Sequence, residues 1–259
     1  MGLYHAILTI LLLLVACQPA AAASRCLGCH QPHYAAQGGC RSCHLGNERT
    51  SRKALAHTGL VRSAYAAFAL PHAPQVQAGA RLAERLGCRR CHLLHGTGNR
   101  LATNLDSLYR QGVPDAIRTA LTEPARSMPD FQLSPRDGDD LVTFILAGGL
   151  QQSPLAQSPP QLVHFNRQTA TPQQAVFVRH CGGCHRLLSE RDGGMGSGIA
   201  GPNLSGLFSR FYPGKTAWDE TRLRQWLQNP RRTNPATLMR PVPLQPQEWQ
   251  QLIATLRTP

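Results

Sequence analysis

Apolar residues recur at helical spacing in two separate stretches of the chain, and both stretches share one order of elements. Val76, Ala80, Ala83 and Leu86 fall three and four apart and predict a helix that runs straight into Cys88. Residues 113–121 read as a short helix with Pro114 near its start. Ser134-Pro135-Arg136-Asp137 reads as an N-cap with proline at N1 and an acid at N3. The helix it opens carries Leu141, Phe144, Ile145 and Ala147 and is expected to stop at Gly148-Gly149. Further along, residues 172–180 predict a helix entering Cys181, residues 219–227 another, and Gln245-Pro246 opens a last one. That one places Trp249, Leu252, Ile253 and Leu256 at i, i+3, i+4 and i+7. The repeated order is helix, cysteine pair, loop, helix, Met-Pro or Met-x-Pro, terminal helix, which is an internal repeat at domain level.

The rest of the chain is patterned differently. Residues 1–16 are almost wholly apolar, too short a run for a spanning helix, which needs about 20 residues. Residues 51–68 offer Leu55, Leu60, Ala64 and Phe68 to one helix. Pro/Gln-rich stretches at 71–77 and 151–161 are linker candidates. The expected organisation is a signal segment over 1–16, a first module over 17–74, a second over 75–150, a linker over 151–164 and a third module over 165–259. The fold class is all-α, with little regular structure in the first module.

Composition adds the chemistry. The 259 residues contain nine cysteines, and eight of them form four C-x-x-C pairs, each followed at once by histidine. The four motifs are Cys26 and Cys29 with His30, Cys40 and Cys43 with His44, Cys88 and Cys91 with His92, and Cys181 and Cys184 with His185. With 11 histidines in the chain, four independent pairs would all precede histidine by chance about three times in a million. C-x-x-C-H is the c-type haem attachment motif. Two thiols add across the vinyl groups as thioethers, and the adjacent histidine reaches the iron. The alternatives are zinc pairing of the 26/29 and 40/43 cysteines, a redox dithiol or disulfides; zinc pairing leaves His30 and His44 unexplained. Four covalently bound haem c groups are therefore expected, two of them within residues 26–44. So short a module must take most of its core from the haems.

The second and third modules resemble small class I cytochrome c domains, which completes the fold expectation as a dihaem module followed by two such domains. In the third module Gly201-Pro202-Asn203-Leu204-Ser205-Gly206-Leu207 matches that family's Gly-Pro-x-Leu loop. The resemblance implies that the Pro202 carbonyl accepts a hydrogen bond from His185. The second module has Ala102-Thr103-Asn104-Leu105 at this place and lacks the proline, which leaves the equivalent bond open. The resemblance also implies a methionine from a late loop as sixth iron ligand: Met128 before Pro129, and Met239 in Met239-Arg240-Pro241. Met195, flanked by glycines close to Cys184, reads as packing. The first module lacks methionine, so its sixth ligands are expected to be histidines. His57 is assigned to the haem of His30, His33 to the haem of His44, and His72 is held in reserve. His95, His164 and His180 read as surface residues or propionate partners. The first module resembles multihaem cytochromes in general, and the whole arrangement resembles lipoprotein cytochromes associated with selenite/tellurite reduction.

Residues 1–16 read as a signal-peptide core. Leu14-Val15-Ala16-Cys17 resembles the lipobox of bacterial lipoproteins, which implies lipid attachment at Cys17. The rival is cleavage after Ala21-Ala22-Ala23. An exported protein at the periplasmic face of a bacterial membrane follows, and Gln18 resembles outer-membrane sorting. The formal net charge of +13 is offset in part by two propionates per haem, and the basic residues are scattered. They fit propionates and redox partner proteins and not nucleic acid. Electron transfer without substrate chemistry is the function expected. An oxyanion or peroxide reductase with an open iron in the first module is the alternative. A wiring subunit of a membrane redox complex is a third.

Overall fold

The computed structural model describes residues 24–70, 72–111, 114–125, 127–152, 172–189, 192–214 and 216–257. The expected signal segment, Cys17, His164 and most of the 151–164 linker lie outside these residues. The chain divides into two compact units. One comprises residues 24–42 with Gly46–Thr58, and the other comprises Cys43–Leu45 with the described residues from Gly59 onward.

The smaller unit is built from single turns. A 3-10 turn over Arg25–Gly28 is capped by Ser24, whose hydroxyl accepts from the Cys26 N–H at 3.3 Å. A second 3-10 turn spans Ala35–Gln37. The short helix α1, Cys40–His44, begins in this unit and ends in the other, and α2 covers Lys53–Ala56. Two backbone bonds tie the pieces, Arg25 N–H to the Glu48 carbonyl at 3.0 Å and Asn47 N–H to the Ala56 carbonyl at 2.9 Å. No described side chain from 24 to 58 is buried, so the polypeptide itself supplies no core there.

The helix expected over residues 51–68 forms only as α2 and a 3-10 turn at Ala66–Ala69. Gly59, at φ +67°, turns the chain out of helix. Leu60 then pairs with Leu45, and the Val61 N–H donates to the His44 carbonyl at 2.8 Å, so strand-like pairing takes the backbone groups a helix would have used.

The larger unit holds two helical lobes. The central lobe contains α3 (Pro74–Leu86), α4 (Leu108–Gln111), α5 (Pro114–Thr122) and α6 (Pro135–Gln152). Helices α3 and α6 cross at Gly79, where a Cβ would lie 2.2 Å from the Asp140 carbonyl oxygen and 2.6 Å from the Phe144 Cβ. Glycine there lets the backbones approach, and Leu82, Ala83, Leu141, Ile145 and Leu94 close the core around the crossing. Ser134 caps α6 as expected: its hydroxyl accepts from the Asp137 N–H at 3.2 Å and donates to the Asp137 carboxylate at 2.8 Å.

The expected stop at Gly148-Gly149 is corrected by the structure, because α6 runs through both to Gln152. A Cβ at Gly148 would sit 2.3 Å from the His95 ring, and one at Gly149 2.3 Å from the Tyr109 Cβ. These glycines serve close packing inside the helix.

The C-terminal lobe contains α7 (Pro172–His180), a two-stranded antiparallel hairpin of β1 (Leu187–Ser189) and β2 (Gly193–Met195), α8 (Glu220–Gln228), α9 (Pro230–Thr233) and α10 (Pro246–Arg257). Phe177, Leu223, Trp249, Leu252 and Leu256 form its core. Asp219 caps α8 through the Arg222 N–H at 2.7 Å. Glu248 joins both ends of the lobe: it accepts from the Gln245 N–H at 3.0 Å, the Arg179 guanidinium at 2.6 Å and the His180 ring at 3.2 Å. The Gln245 bond first, and then His180, hold its carboxyl below the usual value. About half of the described residues are helical, with few in strands, and no helix among them is long and apolar enough to cross a membrane.

Candidate haem sites

Each C-x-x-C-H motif makes one helical turn. The histidine N–H donates to the carbonyl of the first cysteine at 2.9 Å for His30, 3.0 Å for His92 and 2.9 Å for His185, and residues 40–44 form α1. Positions i, i+3 and i+4 of such a turn share one face. Both thiols and the imidazole of each motif therefore project to the same side, which is the demand of a double thioether with an iron ligand beside it.

The attachment cysteines differ in how far the polypeptide covers them. Cys181 is buried, Cys26, Cys40, Cys43, Cys88 and Cys91 are half-buried, and Cys184 and Cys29 are exposed. The exposure of Cys29 departs from the enclosed setting of a cofactor-bound sulfur. The smaller unit has no buried side chain to lay over it, although Cys184 is as open in a lobe that has a core. The assignment of Cys29 to haem therefore stands on its turn, where its N–H donates to the Cys26 carbonyl at 3.1 Å. The haem, and not the polypeptide, would have to cover that sulfur.

Three of the four imidazoles are held from behind by a backbone carbonyl. His185 Nδ1 lies 2.7 Å from the Pro202 oxygen, His92 Nδ1 2.8 Å from the Thr103 oxygen, and His44 Nδ1 2.9 Å from the Val61 oxygen. Each bond requires the N–H at Nδ1 and leaves the Nε2 lone pair for iron. The bond left open for the second module is present. A carbonyl suffices for it, and threonine supplies one as well as proline does.

The two lobes repeat this arrangement in register. Ala102 N–H bonds the Cys91 carbonyl and Leu105 N–H the Leu93 carbonyl, as Gly201 N–H bonds Cys184 and Leu204 N–H bonds Arg186. The carbonyl lies 11 positions after the histidine in the central lobe and 17 in the C-terminal lobe. The longer loop contains the β1–β2 hairpin. In both lobes a glycine with positive φ passes against the histidine backbone. A Cβ at Gly98 (φ +141°) would lie 2.0 Å from the His92 oxygen, and one at Gly196 (φ +73°) 2.2 Å from the His185 oxygen.

The candidate sixth ligands occupy different settings. Met239 is half-buried against the C-terminal core, and its sulfur accepts from the Trp226 indole N–H at 3.0 Å, which leaves a second lone pair. Met128 packs on the central core, with its N–H on the Ala125 carbonyl at 2.8 Å. Met195 is buried in β2. In the smaller unit the His30 and His57 rings face each other at 6.0 Å between centroids, inclined by 48°. His33 is exposed, with Nδ1 3.4 Å from the Gln31 oxygen and its ring edge-on to Tyr34. His72 is exposed at φ +56°.

His95 departs from the surface role expected of it. Its ring stacks on Phe144 at 4.0 Å, and Nε2 donates to the Phe144 carbonyl at 2.8 Å. Its N–H and that of Gly96 both donate to buried Asp106, at 2.7 and 2.8 Å. This clamp fixes the loop that carries Thr103 behind His92, and no sequence motif signals it. His180 is half-buried on Glu248.

Burial pushes the Cys88 and Cys181 thiols up to about 11 and raises Cys91, so these thiols are neutral. Burial likewise pushes the His92 imidazole down, toward the neutral form that binds metal.

These residues fit haem c. A metal–imidazole bond is about 2 Å long. Two imidazoles on opposite sides of one metal then have ring centroids about 6 Å apart, which is the His30–His57 spacing. The zinc alternative finds no such support, because no three His, Cys, Asp or Glu side chains converge on a common point among the described residues. Among the described residues none of the eight motif cysteines is joined in a disulfide.

Neither curated proteins nor solved structures contain a match to the chain. Residues 74–145 match the family model described as cytochrome c oxidase, cbb3-type, subunit III. That match covers α3, the Cys88–His92 turn, the Thr103 loop and most of α6, and it supports a c-type cytochrome with covalent haem c that works in electron transfer.

Proposed function

We propose that the chain is an exported tetrahaem c-type cytochrome that passes electrons between redox partner proteins. The observation that carries this reading is the recurrence of one turn geometry at all four C-x-x-C-H motifs, with a carbonyl behind three of the histidines. Haem bound there supplies a one-electron iron couple. The chain supplies thioether attachment through Cys26 with Cys29, Cys40 with Cys43, Cys88 with Cys91 and Cys181 with Cys184, and ligation through His30, His44, His92 and His185. His57 faces His30 as a second imidazole, His33 is assigned to the haem of His44, and Met128 and Met239 are assigned to the two lobes. Bis-histidine ligation gives the lower potentials and His/Met ligation the higher ones. A lipid on Cys17 anchors the protein at the periplasmic face of a membrane, the outer membrane being favoured. There it serves alone or as a subunit of a redox complex.

The intact mass of the exported holoprotein tests the count. Four haem increments are expected, and replacing both cysteines of any one motif by alanine removes one increment and leaves three. Two increments or fewer in the wild-type chain sinks the reading. A second measurement addresses ligation: His57→Ala converts one low-spin haem to high-spin in the low-temperature EPR spectrum and lets the reduced protein bind CO. An unchanged low-spin count would remove His57 from the ligand set.

A further inference from the structure

In the larger unit the two lobes meet through their own ligand loops. Asn203 follows Pro202, whose carbonyl holds His185, and it reaches into the central lobe: its side-chain N–H donates to the Ser127 carbonyl at 3.1 Å. Ser127 immediately precedes Met128. In the other direction Arg90, within the Cys88–His92 turn and only 9% exposed, donates from Nη1 to the Asn203 carbonyl at 3.3 Å. The Tyr212 hydroxyl donates to the same carbonyl at 3.2 Å, and the Arg90 guanidinium lies over the Tyr212 ring at 5.6 Å. Asn99 bridges the Arg90 carbonyl and the Ser209 hydroxyl, both at 2.9 Å.

The backbones are fitted to this contact. A Cβ at Gly206, at φ +65°, would lie 2.7 Å from Asn99 Nδ2 and 2.8 Å from the Arg90 oxygen. A Cβ at Gly194 would lie 2.2 Å from the Ser127 hydroxyl. Gly194 belongs to β2, the hairpin that lengthens the loop of the C-terminal lobe.

We propose that Asn203 is a positioning residue for the methionine ligand of the other lobe. Its amide fixes the Ser127–Met128 segment of the central site, and Arg90 of the central lobe fixes the Pro202–Asn203 segment behind His185. Each site is thus completed by a residue of its neighbour. This rests on the ligand assignment given above for Met128 and His185. The side chain of Asn203 performs two separable jobs. Its Oδ1 accepts from the Ser205 N–H at 2.9 Å and the Ser205 hydroxyl at 2.6 Å, which shapes its own loop. Its Nδ2 serves only the central lobe among the bonds described.

Asn203→Asp separates the two. It keeps the oxygen for Ser205, removes the N–H, and sets a carboxylate oxygen against the Ser127 carbonyl. In the holoprotein the expected loss is across the interface. The methionine–iron charge-transfer band of the central haem falls by about half or more while that of the C-terminal haem stays. Hydrogen exchange at residues 127–128 rises about tenfold, the scale of one lost hydrogen bond. Met128→Ala and Met239→Ala identify which share of the band belongs to which lobe. If Met128→Ala leaves the band unchanged, the ligand assignment itself falls, and this proposal with it. If Met128→Ala removes its share but Asn203→Asp leaves band and exchange as in the wild type, the positioning role alone is overturned. Gly194→Val presses on Ser127 without altering a polar group and gives the same loss in the central lobe, so the test stands where Asn203→Asp does not take up haem.

Discussion

Gly98→Ala costs the protein the haem of the Cys88–His92 turn and destabilises the central lobe by about 3 kcal/mol or more. Two effects act together. Gly98 has φ +141°, a backbone conformation that L side chains rarely adopt. Its new Cβ would also meet the His92 carbonyl oxygen at 2.0 Å and the Arg89 carbonyl oxygen at 3.3 Å. Backbone atoms cannot swing aside as a side chain can, so the whole Cys88–His92 turn must shift. That breaks the alignment of two thiols and one imidazole on which attachment depends. Intact mass reads the lost increment, and the first thermal transition falls by roughly 10 °C or more. A wild-type haem complement with an unchanged melt would show that the turn yields where the packing says it cannot. Gly196 stands in the same relation to the His185 carbonyl.

Gly79→Leu separates α3 from α6 and unfolds the central lobe. Replacing a helical glycine normally stabilises a helix by up to about 1 kcal/mol. Here even a Cβ would lie 2.2 Å from the Asp140 oxygen and 2.6 Å from the Phe144 Cβ, and the rest of a leucine side chain would enter the same filled space. Overpacking of this kind costs about 1–3 kcal/mol when the neighbours are mobile side chains, and more against a backbone carbonyl. The clash therefore outweighs the propensity gain. Far-UV circular dichroism should lose the α3 and α6 signal, and haem at Cys88 and Cys91 should be absent or labile. A folded central lobe in the Gly79→Leu protein would disprove the close crossing.

The helices with capping or periodic signals were legible in the sequence. Pro172–His180 and Pro246–Arg257 lie where they were expected, whereas the helix carrying Val76, Ala80, Ala83 and Leu86 begins at Pro74, inside the 71–77 stretch expected as a linker, because proline suits a first helical turn. The reading failed where tertiary packing used a residue against its local habit. Gly148 and Gly149 look like a helix stop, yet they admit His95 and Tyr109. The hairpin of Leu187–Ser189 and Gly193–Met195 escaped notice because strands so short, one of them made of glycines and a methionine, carry no β pattern. The turns of the C-x-x-C-H motifs were legible, because that spacing sets two cysteines and a histidine on one face of a helical turn. How far the chain covers each sulfur was not, and Cys29 lies open where Cys181 is enclosed. The Thr103 carbonyl and the Asn203–Ser127 contact were equally hidden, since any residue offers a carbonyl and the partners lie 76 positions apart.

The segment from 24 to 58, with no buried side chain, bears on how the protein is made. Ordering a residue costs roughly 1–2 kcal/mol of backbone entropy. A stretch that fully buries no side chain, and only partly buries a few such as Leu45, has little of its own to offset that. Left to itself such a stretch is a pliable thread, whose order must come from something other than the polypeptide. Haem attached at its cysteines would act as the nucleus of its structure. A chain that missed such a group would leave this stretch open to proteolysis, so its attachment and its folding become a single event.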